Sequence, residues 1–281
     1  MIPIYEITRL APINFGVAGH KQKNLVNIFD RIFPFNGSVI GPLALSIDCS
    51  KQPEKPLYYF YHNIVRHYTR SPLGQFMKHT LGPGDIFLDI GANLGCYSML
   101  AKRLGCEVWV FEPEPMHCEF LKRNTHVFDQ VWDVALSAEA GDATFFVADA
   151  ANYGGSSLVE SERGWESSGY SHVVTVAKQR LDTLIANGPD LGRIKLAKID
   201  VEGAELSVLE GMLGILASNP MNLWCEVRGE ESDRNPGSYR LVCELLEGLG
   251  YRPYIYERGR IVEFSERFVC QVFDILFMQS A

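Results

Sequence analysis

The chain has 281 residues, of which 47% are hydrophobic and 21% are charged, and its formal net charge is −8. This length allows a full hydrophobic core, as one large α/β domain or as one domain with an extension. The acidic balance argues against nucleic acid as a partner, because phosphate binding needs a basic surface. No apolar run approaches the roughly 20 residues of a membrane-spanning helix, so we expect no integral membrane segment.

The cysteines and the N-terminus bear on the compartment. Seven cysteines are widely spaced and form no Cys-x-x-Cys pair, so neither a disulfide framework nor a zinc site is indicated. The N-terminus lacks a basic segment followed by a long apolar stretch, so no signal peptide is visible. These features favour a reducing, cytoplasmic location.

Residues 1–81 are predicted to form an N-terminal extension before a main domain at residues 82–281. Within the extension, apolar spacing predicts a helix at residues 24–33, and residues 38–47 are interpreted as a strand pair or a single strand. A further helix at residues 73–81 ends at a Gly-Pro-Gly turn. We expect most of the extension to pack against the edge of a sheet, and a cap over the functional site is the alternative.

From residue 85 onward strands and helices alternate regularly, which predicts an open, mostly parallel α/β sheet. The first strand lacks polar alternation and suits a parallel strand buried on both faces. After the third strand the alternation stops, and two additional strands are predicted. Strands are predicted at residues 85–90, 107–112, 130–136, 143–147, 172–176, 194–200, 223–227, 251–256, 260–264 and 269–278, and helices at residues 97–104, 115–124, 206–216 and 239–249.

A glycine-spaced turn after the first strand is the main functional signal. It reads Asp89-Ile90-Gly91-Ala92-Asn93-Leu94-Gly95. Glycine lets the backbone turn sharply and approach a ligand closely, and the unpaired N–H groups of the following helix favour an anionic group. At the carboxyl end of a strand in an open α/β sheet, this turn predicts a cofactor cradle.

The turn favours S-adenosylmethionine over a nicotinamide dinucleotide. Dinucleotide folds need Gly-x-Gly-x-x-Gly, but Asn93 stands where the second glycine would be. Asp89 suits the ammonium group of an amino-acid tail, which S-adenosylmethionine carries. Glu112 ends the second strand and is placed to accept from ribose hydroxyls, although dinucleotide folds have a similar acid. A nicotinamide oxidoreductase stays open as an alternative, and so does a non-catalytic S-adenosylmethionine-binding protein.

Two acids follow the fourth predicted strand, which neighbours the first in a sheet of order 3-2-1-4-5. Asp200 and Glu202 are therefore expected beside the cradle as the catalytic pair. We expect Asp200 to face the cofactor and to orient the group that receives the methyl, and Glu202 to orient or deprotonate that group. The alternative is that Glu202 caps the next helix, whose N-terminus favours acids.

For the other ionisable residues a structural role is the simpler interpretation. We expect Glu205 to cap the helix that follows the fourth strand. Glu226 lies in the fifth strand among apolar residues, where a buried acid needs a partner, and Lys198 or Arg228 is placed to supply one. Other candidate bases, each more often a surface or packing residue, are Tyr61, His62, His79 and His172.

No divalent metal is expected to be required. Asp200 and Glu202 supply two oxygen ligands, but no third ligand lies near them in sequence. Mg²⁺ needs near-octahedral oxygen coordination, which two acids alone do not provide.

A polar, glycine-containing loop at residues 152–170 is expected to act as a lid over the acceptor. It leaves the third strand and returns toward the fourth, and the carboxyl ends of these strands flank the cradle. Long loops in such positions commonly close over a site and exclude water. The alternative is a surface loop without ligand contact.

An ordered set of motifs resembles the FkbM family of S-adenosylmethionine-dependent methyltransferases. The resemblance covers residues 82–227, and it implies a Rossmann-like class I fold of sheet order 3-2-1-4-5-7-6, with an N-terminal extension and a β insertion between strands 3 and 4. It also implies O-methylation of a small-molecule or glycan acceptor, commonly a sugar or a polyketide-type metabolite. The motifs are the glycine-spaced turn, Phe111-Glu112-Pro113, Ala135-Leu136-Ser137, Gly155-Ser156-Ser157-Leu158, Leu181-Asp182-Thr183-Leu184 and Lys198-Ile199-Asp200-Val201-Glu202-Gly203-Ala204-Glu205.

The resemblance also implies roles in cofactor binding. Gly91 and Asn93 line the methionine end of the cofactor, and Glu112 holds the ribose. Residues 135–137 (Ala135, Leu136 and Ser137) border the adenine. Also assigned to the cofactor site are Asp89, Ala92, Gly95, Pro113 and Asp200.

Overall fold

The computed structural model describes residues 38–40, 43–48, 66–148, 155–160, 169–186, 188 and 191–279. The helix predicted at residues 24–33 lies outside these ranges. The candidate bases Tyr61 and His62 lie outside them as well, and so do residues 152–154 and 161–168 of the predicted lid.

Strands and helices alternate through most of the described chain. The strands are β1 (Ser38–Ile40), β2 (Leu45–Ile47), β3 (Ile86–Ile90), β4 (Glu107–Phe111), β5 (Gln130–Trp132), β6 (Ala135–Leu136), β7 (Gly141–Ala148), β8 (Tyr170–Gln179), β9 (Ile194–Ile199), β10 (Asn222–Arg228), β11 (Tyr251–Glu257), β12 (Arg260–Glu263) and β13 (Val272–Gln279). The α-helices are α1 (Pro72–Thr80), α2 (Cys96–Arg103), α3 (Pro115–Arg123), α4 (Leu181–Leu184), α5 (Glu205–Glu210), α6 (Leu213–Ser218) and α7 (Ser238–Gly248).

A central sheet has the strand order β12-β11-β13-β10-β9-β3-β4-β5. The strands from β5 through β10 are parallel, and β13 runs antiparallel to both of its neighbours. The chain order along this sheet is therefore 3-2-1-4-5-7-6, with β12 added as a hairpin strand at the edge. The predicted class I methyltransferase topology is confirmed.

A second, three-stranded sheet of order β6-β8-β7 is inserted between β5 and β9. The single third strand predicted at residues 130–136 is wrong in this respect, because the chain leaves the central sheet after Trp132 and its continuation β6 pairs with β8. The Trp132 ring stays stacked on Phe111 of β4, with centroids 4.7 Å apart. The predicted strands at residues 143–147 and 172–176 are the antiparallel pair β7 and β8.

The helix predicted at residues 206–216 is interrupted. Helix α5 ends at Glu210 and α6 begins at Leu213. A Cβ on Gly211 would lie 2.1 Å from the carbonyl oxygen of Ser137, so the backbone passes against this carbonyl at the break. The Asp182 carboxylate then accepts from the N–H groups of Gly214 and Ile215, which caps the first turn of α6.

The core explains why the first strand carries no polar alternation. All five residues of β3 are buried, because one set of side chains packs toward α1 and α2 and the alternate set toward α5 and α7. The predicted strand pair at residues 38–47 is present as β1 and β2. Within the described ranges, none of the helices has the length and apolarity needed to cross a bilayer.

Candidate functional site

A cavity of about 540 Å³ opens at the carboxyl ends of β3, β4 and β9. Parallel strands bring their carboxyl ends to one edge of the sheet, so residues far apart in sequence meet there. Its lining includes Gly91 and Asn93 of the turn together with Asp200 and Glu202, which follow β9. The cavity is also lined by the predicted cofactor residues Glu112, Pro113, Ala135 and Leu136.

The other predicted cofactor residues do not line this cavity. Asp89 is 1% exposed and lies within β3, beneath the turn. Ala92 packs into the hydrophobic core, and Gly95 faces the ring of Phe128. The Ser137 hydroxyl pairs with Ser207.

The glycine-spaced turn has the left-handed backbone that its sequence predicts. Gly91 has φ of +72° and Asn93 has φ of +55°. A Cβ on Gly91 would lie 1.9 Å from the carbonyl oxygen of Asp200. The close approach that requires glycine at this position is therefore to the β9 terminus of the protein itself, which holds the two strand ends together at the cavity.

Glu112 is 5% exposed and is held by backbone donors. One carboxylate oxygen accepts from the N–H of Asn93 at 2.7 Å, and the other accepts from the N–H of Glu114 at 2.8 Å. Each carboxylate oxygen has further lone pairs. The side chain therefore faces the cavity in a fixed orientation and retains capacity to accept from a ligand.

A second buried carboxylate lies beside Glu112 and has no counterpart among the predicted site residues. Glu114 lines the cavity together with His117 and Ser156. Its Oε2 accepts from the Ser156 hydroxyl at 2.8 Å and lies 3.4 Å from Nδ1 of His117. Burial raises the pKa of Glu114 above its ordinary value, against the lowering effects of His117 and Ser156.

Lys198 joins the turn to Asp200 at the end of β9. Its ammonium lies 3.4 Å from Asp89 and 3.2 Å from Asp200, and it donates to the Gly91 carbonyl at 2.9 Å. Burial alone would lower the pKa of Lys198, but the two carboxylates raise it above its ordinary value. Asp89 is thus the buried counter-ion of this lysine, and its predicted contact with a ligand ammonium stays a prediction.

Glu202 is held between two guanidinium groups. Its Oε2 accepts at 2.7 Å from Arg228 and at 2.7 Å from Arg234, and its own backbone is left-handed, with φ of +59°. Burial and the charge of Asp200 raise the pKa of Glu202 to about 7, although both arginines lower it. This is the range in which a carboxylate can exchange a proton near neutral pH.

Glu226 is neither fully buried nor a partner of Lys198. Its side chain is 27% exposed and accepts from Arg228 at 3.1 Å, which confirms one of the two predicted ion pairs. Oxygen atoms of Asp200, Glu202 and Glu226 lie within 4.8 Å of one another. No third ligand lies near Asp200 and Glu202 in sequence, but strand pairing between β9 and β10 brings one close in space, and the expectation that no metal is required stays a prediction.

The remaining candidates lie apart from the cavity or in structural roles. The Glu205 carboxylate accepts from the N–H of Gly203 at 2.8 Å, as expected for an acid at the start of α5. His79 contacts the Gln75 carbonyl, and the exposed His172 contacts Ser171. Neither histidine lines the cavity.

Residues 155–160 are the described part of the predicted lid, and they form a wall of the cavity. Ser156 and Leu158 line it. The Ser157 hydroxyl donates to the Glu202 carbonyl at 2.8 Å, and Arg234 donates to the Gly155 carbonyl at 2.8 Å. This segment is therefore hydrogen-bonded to Glu202 and to the arginine that contacts Glu202, and closure over an acceptor stays a prediction.

Comparison with known proteins identifies the family. The sequence profile of the family described as "Methyltransferase FkbM domain" matches residues 89–253, which is more than half of the chain. "Methyltransferase 1" of Beauveria bassiana (strain ARSEF 2860) is 28% identical over 149 residues, covering 46% of this chain and 59% of that protein. "Methyltransferase sdnD" of Sordaria araneosa is 34% identical over 162 residues, covering 46% of this chain and 61% of that protein.

The chain thus matches about three fifths of the length of these two curated relatives. Among solved structures, the methyltransferase FkbM from Methylobacillus flagellatus KT is similar with a TM-score of 0.41 and 14% identity, covering 81% of this chain and 55% of that chain. The profile match extends from the glycine-spaced turn at β3 to β11 and includes every residue that lines the cavity. The chain therefore belongs to the FkbM methyltransferase family.

Proposed function

We propose that this protein transfers a methyl group from S-adenosylmethionine to a hydroxyl group of a sugar, a glycan or a polyketide-type metabolite. One observation carries the proposal: a single cavity is lined both by Gly91, Asn93 and Glu112 and by Asp200 and Glu202. The first set suits a nucleoside with an amino-acid tail, and the second suits a group that must be oriented and deprotonated.

The residues around the cavity fit S-adenosylmethionine in charge and shape. Glu112 presents acceptor lone pairs in a buried site, which suits a ribose diol. Gly91 and the left-handed Asn93 form the turn along which the amino-acid tail of the cofactor would lie. When bound, S-adenosylmethionine supplies a methyl group on a sulfonium, which is already a strong electrophile, so the protein acts mainly by positioning.

Asp200 and Glu202 have different roles toward the acceptor, which are orientation and proton removal. Asp200 is fixed by Lys198 and orients the acceptor hydroxyl. Glu202 would take the hydroxyl proton as the acceptor oxygen bonds to the methyl carbon and the bond from that carbon to sulfur breaks, with its electron pair left on S-adenosylhomocysteine. A carboxylate with a pKa of about 7 suits this role at neutral pH. Arg228 and Arg234 hold Glu202 in place during this step.

Binding measurements test the cofactor half of the proposal. Isothermal calorimetry is expected to show that S-adenosylmethionine and S-adenosylhomocysteine compete for one site and that NAD binds poorly. Glu112→Ala should weaken binding roughly 10- to 100-fold, because charge-assisted hydrogen bonds contribute about 1.5–3 kcal/mol. The exposed Glu139→Ala is the matched control. Tight NAD binding without S-adenosylmethionine binding would refute the proposal.

Transfer of a labelled methyl group tests the acceptor half. A panel of sugars, glycans and hydroxylated polyketides is incubated with labelled S-adenosylmethionine, and the product is analysed for an O-methyl group. Transfer only to nitrogen would correct the acceptor class. Cofactor binding with no transfer to any hydroxyl compound would favour a non-catalytic S-adenosylmethionine-binding protein, the alternative that cofactor binding by itself leaves open.

A further inference from the structure

We propose that Glu114 is a specificity-determining residue that accepts a hydrogen bond from the 6-amino group of the cofactor's adenine, and that Ser156 is its positioning residue. This inference rests on the proposed function, because it concerns the same cavity. It assigns a role to a carboxylate that the transfer mechanism does not use. It also assigns a role to a serine in the inserted segment, far from Glu114 in sequence.

Glu114 is a buried hydrogen-bond acceptor held by neighbouring side chains, and it is not an exposed surface acid. It is 4% exposed, so the only open space beside its carboxylate is the cavity that it lines. Its described contacts with Ser156 and His117 both fall on Oε2, which leaves Oε1 as the oxygen able to accept from a ligand. Because a buried carboxylate that lacks donors is costly, a donor supplied by a ligand gains strongly from this position.

The walls around Glu114 suit a flat aromatic base. The cavity that Glu114 lines also has apolar walls, which include Phe111 on β4 and Phe145 on β7. Planar, apolar sites with a few placed polar groups are typical of nucleobase and cofactor pockets. The apolar residues that line the cavity here are Phe111, Val134, Ala135, Leu136, Phe145 and Leu158.

Assigning the other hydrogen-bond donors of the cofactor leaves one donor group to contact Glu114. S-adenosylmethionine carries three kinds of hydrogen-bond donor, namely the ammonium, the ribose hydroxyls and the adenine 6-amino group. The proposed function gives the ribose hydroxyls to Glu112 and places the amino-acid tail along the turn at Gly91 and Asn93. The 6-amino group is the donor that remains, and Glu114 is the carboxylate that remains.

Ser156 fixes the direction of the Glu114 carboxylate. Its hydroxyl oxygen accepts from the N–H of Ala148 at 2.9 Å, so its proton is directed to Glu114 Oε2 at 2.8 Å. The neighbouring Ser157 exchanges two backbone hydrogen bonds with Phe146, at 2.8 and 3.0 Å. The insertion thereby holds Ser156 on a strand-like support, and the carboxylate cannot turn without breaking this contact.

A pair of cofactor analogues provides the test, with calorimetric dissociation constants as the readout. S-adenosylhomocysteine carries the 6-amino group, and S-inosylhomocysteine carries a carbonyl oxygen there, which a carboxylate repels. The wild type is expected to prefer the first by at least about 10-fold. Glu114→Gln should reduce the preference to near unity, because the amide can donate to the carbonyl. Ser156→Ala should reduce it to an intermediate value.

Matched variants separate this result from general damage to the site. Glu112→Gln should weaken both analogues and keep the preference, since Glu112 contacts the Asn93 and Glu114 N–H groups and, in the proposed function, the ribose, but not the 6-position of the base. A wild type that binds both analogues equally, or a Glu114→Gln variant that keeps the full preference, would overturn the inference while leaving the proposed function intact. A wild type that binds neither would instead refute the proposed function. Should Glu114→Gln fail to fold, an unchanged preference in Ser156→Ala overturns the inference.

Discussion

The residues proposed to bind the cofactor and those proposed to act on the acceptor, called here the cofactor end and the acceptor end of the cavity, are held in different ways. At the cofactor end, Glu112 is held by backbone N–H groups of Asn93 and Glu114, within 19 residues of chain. At the acceptor end, Glu202 is held by the side chains of Arg228 and Arg234, 26 and 32 residues away. The cofactor end therefore depends on local backbone geometry, and the acceptor end depends on charges brought together by strand pairing.

This difference has a functional consequence within the proposed mechanism. Backbone donors are fixed by the turn and hold Glu112 as a permanent acceptor, which suits a cofactor that does not vary. Side-chain charges can be exchanged one at a time without rebuilding the sheet, so single substitutions can alter the proposed acceptor site. Lys198 is the contact that joins the two ends, because it touches Asp89, Gly91 and Asp200.

The largest expected effect on stability comes from removing the contacts of Lys198. Lys198→Met leaves the buried Asp89 without its counter-ion, which should lower the free energy of unfolding by about 3–5 kcal/mol. Lys195→Met, on the same strand but exposed, is the control and should stay within about 0.5 kcal/mol of the wild type. Urea denaturation measures both.

A second variant tests whether the loss at Lys198 is electrostatic. Asp89→Asn combined with Lys198→Met removes both charges and should recover part of the lost stability, since an uncompensated charge costs more than a neutral pair. A double variant no more stable than Lys198→Met alone would show that packing, rather than the ion pair, sets the cost.

A smaller effect is expected from the cofactor end. Gly91→Ala introduces a Cβ 1.9 Å from the Asp200 carbonyl at a left-handed backbone, so the strand ends must separate. Gly84→Ala has the same unfavourable sign of φ, at +90°, with no atom within 4 Å, and it should cost only about 1–2 kcal/mol. Gly91→Ala should cost more and also weaken S-adenosylhomocysteine binding. Equal costs and unchanged binding would mean that the close approach does not hold the cavity together.

The same contrast explains what could be predicted from the sequence. Buried strands, the glycine-spaced turn and the acids at strand ends are local patterns, so the strands and the lining residues Gly91, Glu112 and Asp200 were predictable. The full sheet order was implied by the family resemblance. Arg234 stands in a polar loop, and only the folded chain brings it to Glu202. Likewise, no local pattern pairs Ser156 with Glu114 across 42 residues.

Two features that were not predicted nevertheless had a signal in the sequence. Lys198 occupies an otherwise apolar strand, and a buried cation there requires an acid on a neighbouring strand. Because β3 and β9 are parallel and Asp89 pairs in register with Lys198, Asp89 was the partner to expect. The break between α5 and α6 had a weaker signal in Gly211, since glycine is disfavoured inside helices.

The acceptor end should also make stability depend on pH. Burial, followed by the charges of Asp200 and Glu202, raises the pKa of Glu226 from 4.5 to about 9. The native state thus keeps a proton that the unfolded chain loses, and the stability this contributes is full below pH 4.5 and is lost as pH rises through about 9. Glu226→Gln does not titrate, so it should flatten the fall in unfolding free energy between pH 7 and 9.

Chemical denaturation at several pH values measures this dependence, with the exposed Glu139→Gln as control. The control should retain the wild-type slope. A Glu226→Gln variant whose slope equals that of the wild type would show that Glu226 titrates in its ordinary range and that the three carboxylates do not interact.

The smallest expected effect concerns divalent metal. Asp200, Glu202 and Glu226 are close enough for their oxygens to share an ion, but two guanidinium groups already lie 2.7 Å from Glu202. Arg228 also reaches Glu226, so the cations that neutralise this cluster belong to the protein. Addition of Mg²⁺ should leave the thermal transition and S-adenosylhomocysteine binding unchanged, and EDTA should not alter methyl transfer.

Replacing one of the two arginines tests whether their charge is what prevents metal binding. Arg234→Gln uncovers part of the Glu202 charge, so this variant should bind Mg²⁺ more tightly than the wild type does, measured by calorimetry with the metal alone. If instead Mg²⁺ stabilises the wild type and Glu226→Gln abolishes the stabilisation, the three carboxylates are metal ligands. The acceptor end would then use an external cation to orient the hydroxyl, and the arginines would serve to position the ligands.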